Sequence, residues 1–412
     1  MKTFTPPLRQ RIIHGIKHRT YPSCQTRNFI DFADHEAPTP PTVDLCPNPS
    51  CACIGTPKGL DIDYTTKING LSPRYTEHVI VSTGHSDWPS KIEENPDDVG
   101  LFHKDLAMMI RPPARQSGTR RSGPYYNVGI LYDPVPPMTT FNNKSPPPPP
   151  PPNHSRNLTN IPKTPISIYT FPSAHYITIP PCPDFQTYYH TLNDYIRGYA
   201  LPKQIHPEYH DLAPEMVKLL TRDEKFRDGI PYRAKVHDAM VLICGHGNRD
   251  SRCGIMGPLI QSEFEEKLPL LDVELLTEPP RFHSTQEAAR ELHGAKMSSG
   301  AAGPNSSKVK TQNQRSERVG KMRARVGQIS HIGGHKFAGN IIVYIPHTEV
   351  WKNHPLAGKG IWYGRVEPWH VEGIIEETIK KGNVIKELYR GAVDQYGADV
   401  WVPPIQMRAR KF

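Results

Sequence analysis

The chain has 412 residues, enough for two domains of ordinary size, but only 36% are apolar and 45 are proline. That composition excludes one compact core over the whole length; two modest cores with sizeable disordered insertions are expected. The formal charge of +9 is concentrated in residues 1–30 (+6, with no acid) and 281–325 (+7), and subtracting both leaves −4 on the rest, which excludes a basic nucleic-acid groove.

No stretch approaches the roughly 20 consecutive apolar residues of a membrane-spanning helix, so no membrane span is expected. In residues 1–30, Leu8, Ile12, Ile13 and Ile16 share one helical face among Arg9, Arg11, Lys17 and Arg19. An Arg-rich, acid-free amphipathic start predicts a mitochondrial leader, hence a mitochondrial location. Residues 31–45 are polar and Pro-rich and read as a linker.

An N-terminal α/β domain is expected over 46–235. It opens on the cysteine segment Cys46–Cys53, a C-x4-C-x-C spacing. Residues 78–83 (HVIVST) form a short buried strand, followed by a Gly-containing loop with His85 and Asp87 and a helix start at Ser90. Residues 125–132 and 166–179 are rich in β-branched and aromatic residues and read as strands. Between them, 133–165 is a Pro-rich insertion with seven prolines at 146–152, a polyproline II spacer. Residues 184–200 carry helical periodicity.

The second domain, 236–412, shows its pattern more clearly. Residues 239–244 (AMVLIC) are a continuous apolar run of strand length, followed by a Gly-rich loop, 245–257. A helix over 258–268 then has Pro258 in its first turn. Residues 271–276 are the next strand, and 281–325 an unstructured insertion. After the Gly-rich loop 331–340 come strands at 340–345 and 360–366 and an amphipathic helix at 371–385. A βαβ start and a ββα finish give the element order of a thioredoxin-like fold.

Two loops carry the chemistry. Cys244 and Cys253 form a C-x8-C, with Cys244 at a strand end. His331 and His335 form an H-x3-H leading into a strand. Two thiolates and two imidazoles suit either zinc or a 2Fe-2S cluster. Structural zinc knuckles space their ligand pairs by two to four residues; an eight-residue gap bends a longer loop around something larger than one ion. Two imidazoles replacing two thiolates on one iron is also the ligand set of Rieske centres, although their motifs mix Cys and His within each loop. His246 is a weaker competitor as ligand. Arg249, Arg252 and Lys336 are candidates for placing positive charge near a cluster.

The C-x8-C loop, the HIGGHKFAGN segment, and the VYIP and WYGRV strands resemble the sucrase/ferredoxin-like family, as do the N-terminal segments CPNPSCAC and TGHSDWPSKIE. That resemblance implies an α/β protein of two thioredoxin-like domains, the C-terminal one a thioredoxin-like ferredoxin. It also implies a 2Fe-2S cluster on Cys244, Cys253, His331 and His335. No paired carboxylates in motif context support glycoside hydrolysis. The expectation is a redox carrier or redox-responsive factor in mitochondrial electron transfer or thiol homeostasis, working with redox protein partners. Two alternatives stand beside it: a structural zinc domain acting as an assembly factor, and a thiol oxidoreductase using Cys46, Cys51 and Cys53.

Overall fold

The long apolar runs of this chain have no polar alternation because their strands are buried on both faces. The computed structural model describes residues 39–50, 52–73, 75–83, 86–90, 92–110, 138–139, 161–204, 213–282 and 321–394. The chain divides into Met1–Pro38 and Thr39–Phe412, and the described residues lie in the second unit. The leader, the strand expected at 125–132, the proline run and nearly all of 281–325 fall outside the described residues, as do Cys24, Cys51 and His85.

The strands are β1 (Thr42–Val43), β2 (His78–Ser82), β3 (Met138–Thr139), β4 (Ile166–Phe171), β5 (His175–Ile179), β6 (Tyr232–Lys235), β7 (Ala239–Cys244), β8 (Glu274–Leu275), β9 (Arg323–Ile329), β10 (Ile341–Ile345), β11 (Lys359–Tyr363), β12 (Val384–Ile385) and β13 (Tyr389–Asp394). Among the described residues, one sheet runs β13-β11-β10-β7-β9-β3-β2-β4-β5-β6, with β8 beside β9. The order is palindromic about the β9–β3 junction. On one side β7 is parallel to β9 and antiparallel to β10; on the other, β2 is parallel to β3 and antiparallel to β4. The two edge strands β3 and β9 meet antiparallel at Thr139 and Ile329.

Period-two alternation assigns the side chains to layers. In β7, Ala239, Val241 and Ile243 join an outer core with helix α4 (Ser251–Leu270); Met240, Leu242 and Cys244 join an inner one. In β2, Val79 and Val81 face a second outer core with helices α1 (Asp98–Ile110), α2 (Phe185–Tyr195) and α3 (Pro214–Leu220), while Ile80 joins the same inner core. The inner core is therefore shared by both halves. Phe171 of one stacks on Tyr344 of the other at 4.6 Å between ring centroids. The fold is mixed α/β, as expected.

Several elements differ from the sequence reading. Helix α4 begins at Ser251 rather than at Pro258, because Asp250 caps it by accepting the Arg252 N–H at 3.0 Å. The strand expected at 271–276 shrinks to β8, and the second long strand is β9, part of which lay in the expected insertion. Its Arg323 and Arg325 both pair with Asp238 at 3.0 Å, which lets a basic segment enter the sheet. The last helix starts as α5 (Val371–Gly373) and continues in π form over Ile374–Lys381; Gly382, at φ +77°, stops it before β12. Residues 42–66 run along the C-terminal half: β1 pairs with β12, the Ile54 N–H donates to Glu263, and Asp63 binds Lys336.

Candidate functional site

Cys244 is the last residue of β7, and Cys253 lies in the first turn of α4. The early helix start turns Cys253 back toward the strand end, and both thiols are buried, at 1% and 0% exposure. Gly257 permits this approach. A Cβ there would lie 2.8 Å from the Cys244 carbonyl oxygen and 2.7 Å from the Gly245 Cα, so the helix rests directly on the loop backbone.

The two thiols share a hydrogen bond, with Cys244 as the acceptor. Cys253 donates to it, and the His331 ring and the Ile332 N–H add to that, holding Cys244 well below the usual thiol range in spite of its burial. Cys253 is pushed up correspondingly, first by the Cys244 sulfur and then by burial. The thiolate form of cysteine is the one that ligates metal.

His331 follows β9 and is half-buried. Its Nδ1 is buried with no hydrogen-bond partner. The His335 ring lies 5.3 Å from the His331 ring and is exposed. His335 opens a short 3₁₀ turn, His335–Phe337, after Gly334 at φ +72°. The structure thus brings Cys244, Cys253 and His331 together and sets His335 beside His331. Among the described residues, no three His, Cys, Asp or Glu side chains converge as they would around one ion.

His246 is not free to act as a ligand. Its Nε2 is 2.8 Å from the Trp88 carbonyl, and its Nδ1 accepts the His331 N–H at 3.3 Å. This fixes the tautomer with the proton on Nε2. Asp87 of the loop after β2 accepts the Asn248 N–H at 3.2–3.3 Å. The N-terminal half therefore holds the cysteine loop in place.

The three basic candidates fare differently from expectation. Arg249 is exposed. Arg252 is tied to Asp250 at 2.9 Å, and Lys336 to Asp63 at 3.0 Å. Arg252 still acts electrostatically on Cys253; the cation acting on both thiols is Arg390 on β13, 2% exposed. Burial lowers its pKa to about 10, with Cys244 and Cys253 acting in the opposite direction. Nothing in the strand sequence YRGAVD singles it out; only the charge, unusual for a buried strand, offers a signal.

The sucrase/ferredoxin-like family matches residues 68–391, well over half of the chain and a span containing all four candidate ligands and Arg390. The chain belongs to the sucrase/ferredoxin-like family. It is similar to proteins named altered inheritance of mitochondria protein 32. With that of Meyerozyma guilliermondii it is 28% identical over 85% of this chain and 95% of the other. With those of Clavispora lusitaniae and Debaryomyces hansenii it is 26% identical, again over 85% of this chain and 95% or 96% of theirs. No solved structure matches it.

In this sucrase/ferredoxin-like chain the described N-terminal cysteines are Cys46 and Cys53. The Cys46 thiol is buried 3.5 Å from the His370 carbonyl. Burial, then Glu387 and Glu377, pushes its pKa up to about 12. A thiol that stays protonated is a poor nucleophile. Cys53 is half-buried.

Proposed function

We propose that Cys244, Cys253, His331 and His335 hold a 2Fe-2S cluster, and that the protein is a thioredoxin-like ferredoxin serving mitochondrial electron transfer or thiol homeostasis with redox protein partners. The observation that carries this reading is the buried contact of Cys244 with both Cys253 and the His331 ring, whose Nδ1 is buried without a hydrogen-bond partner. Cys244 and Cys253 supply thiolates, and His331 and His335 neutral imidazoles. The Ile332 N–H donates to the Cys244 sulfur, and His246 fixes the backbone of the histidine loop. Once bound, the cluster supplies a centre that gains or loses one electron.

A two-iron core takes its ligands as two pairs, whereas structural zinc asks four groups to converge on one point. The eight-residue gap between Cys244 and Cys253, longer than that of a structural zinc knuckle, favours the cluster over zinc. The raised Cys46 pKa weighs against a thiol oxidoreductase using Cys46, Cys51 and Cys53. The thioredoxin-like reading is supported by the order β11-β10-β7-β9, with β7 parallel to β9 and β10 antiparallel to β7. The order β5-β4-β2-β3 repeats it in the other half. The relatives' names support a mitochondrial site of action.

The test is anaerobic purification with iron, sulfide and zinc analysis. Two irons and two sulfides per chain, with visible absorption that bleaches on reduction, are expected. A colourless protein with stoichiometric zinc would overturn the reading.

A further inference from the structure

We propose that Arg390 is the positioning and charge-setting residue of the cluster site, tuning its reduction potential upward. This deepens the cluster reading and rests on it. Arg390 ties the histidine loop to the strap before β2. Its Nη1 donates to the Asn340 Oδ1 at 2.7 Å and to the Gly333 carbonyl at 3.3 Å, and its Nη2 donates to the Leu71 carbonyl at 3.1 Å. The guanidinium lies over the Trp362 ring at 5.7 Å. Gly334 has no side chain because Arg390 passes there: a Cβ would sit 2.6 Å from Nη2.

Two features remain unexplained by this scaffolding. The Nε hydrogen is buried without a partner, and among the described residues no carboxylate pairs with the guanidinium. A buried cation without a counter-charge is costly, so it belongs to a site that supplies one. The sulfur pair is the anionic group within its electrostatic reach.

The sign of its effect follows from charge counting. Two ferric ions, two sulfides, two thiolates and two neutral imidazoles sum to zero. One added electron makes the centre negative, with no change in its bonds. A fixed cation nearby stabilises that reduced state over the oxidised one and raises the potential. Arg249, Arg252 and Lys336, being exposed or paired, contribute less.

The experiment compares midpoint potentials of the full-length wild type with Arg390→Gln and Arg390→Lys, after iron and sulfide analysis of each. Arg390→Gln is expected to lower the one-electron equilibrium constant at least tenfold, a fall of ~59 mV. Arg390→Lys, which keeps the charge but loses the planar fork, is expected to stay within about a factor of three on the same scale. An unchanged potential in Arg390→Gln, or equal falls in both variants, overturns the proposal. Should Arg390→Gln retain no cluster, Asn340→Asp decides: it sets a carboxylate against Nη1 at nearly constant shape. A lowered potential there supports the role of charge at this position, and an unchanged one overturns it. A wild type without iron overturns the cluster reading itself, and this inference with it.

Discussion

Trp88 of the N-terminal half and His246 of the cysteine loop meet at a hydrogen bond of 2.8 Å from the imidazole Nε2 to the Trp88 carbonyl, with their rings edge to face at 5.9 Å. The other face of this relationship is the His331 N–H on Nδ1. One buried imidazole therefore links the backbone of one half to a candidate ligand on the other.

His246→Phe keeps the ring but removes both hydrogen bonds. It leaves the His331 N–H without its acceptor and the Trp88 carbonyl with only the Asn248 amide at 3.3 Å, and is expected to cost about 1–3 kcal/mol. Urea melts of the metal-free protein measure that loss. Iron retention during dialysis is expected to fall as well, because the His331 segment loses its anchor. A variant as stable as the wild type, with undiminished iron, would remove His246 from the site.

The proposed ligands separate by donor type. Cys244→Ser and Cys253→Ser are expected to abolish the visible absorption, since each removes a thiolate from a buried site. His331→Cys and His335→Cys are expected to keep a cluster at a lower potential, because a thiolate gives more electron density than an imidazole. Titration with a chelator should release metal from His335→Ala before wild type, His335 being the exposed member of the set.

Legibility in the sequence followed burial. Strands β7 and β10 announce themselves because both faces are covered, leaving AMVLIC and IIVYI free of polar residues. Strand β9 did not, because Arg323, Arg325 and Gln328 interrupt its pattern; each is satisfied by a distant partner, Asp238 or Gln261. Only the fold brings those partners near. The four candidate ligands stood out through residue type and spacing. Arg390, Trp88 and the role of His246 did not, since their meaning lies in contacts across hundreds of residues. The start of α4 was misplaced by weighing glycines above the Asp250 cap, and Gly257 turned out to serve close packing on β7 rather than a loop.

The shared inner core predicts a single unfolding transition for the described part of the chain. Ile80, fully buried between the sheet faces, touches the core used by both halves. Ile80→Ala is expected to cost about 2–5 kcal/mol. It should shift the unfolding midpoints seen by near-ultraviolet and far-ultraviolet dichroism together. Two separated transitions, only one of them moved, would show that the halves unfold independently.

Acid sensitivity should come from buried histidines. His354 and His370 are each lowered to about 4, chiefly by burial. His354 has its Nδ1 accepting from the Leu356 N–H and its Nε2 against the Ile379 carbonyl; His370 accepts the Glu367 N–H at 2.9 Å. Their folded pKa values lie below the unfolded value of 6.5, so the unfolded chain binds more protons between pH 6.5 and 4. Stability is complete above that window and drains as pH falls through it, by roughly 2 kcal/mol per histidine between pH 7 and pH 5. Asp105, raised to about 6 by burial, acts in the opposite direction, losing its contribution as pH rises, and offsets part of the slope. Urea melts at pH 7 and pH 5 should show the wild type weakening in acid, and His370→Gln should flatten that difference while costing stability at pH 7. An equal loss in wild type and variant would move the acid sensitivity to other groups.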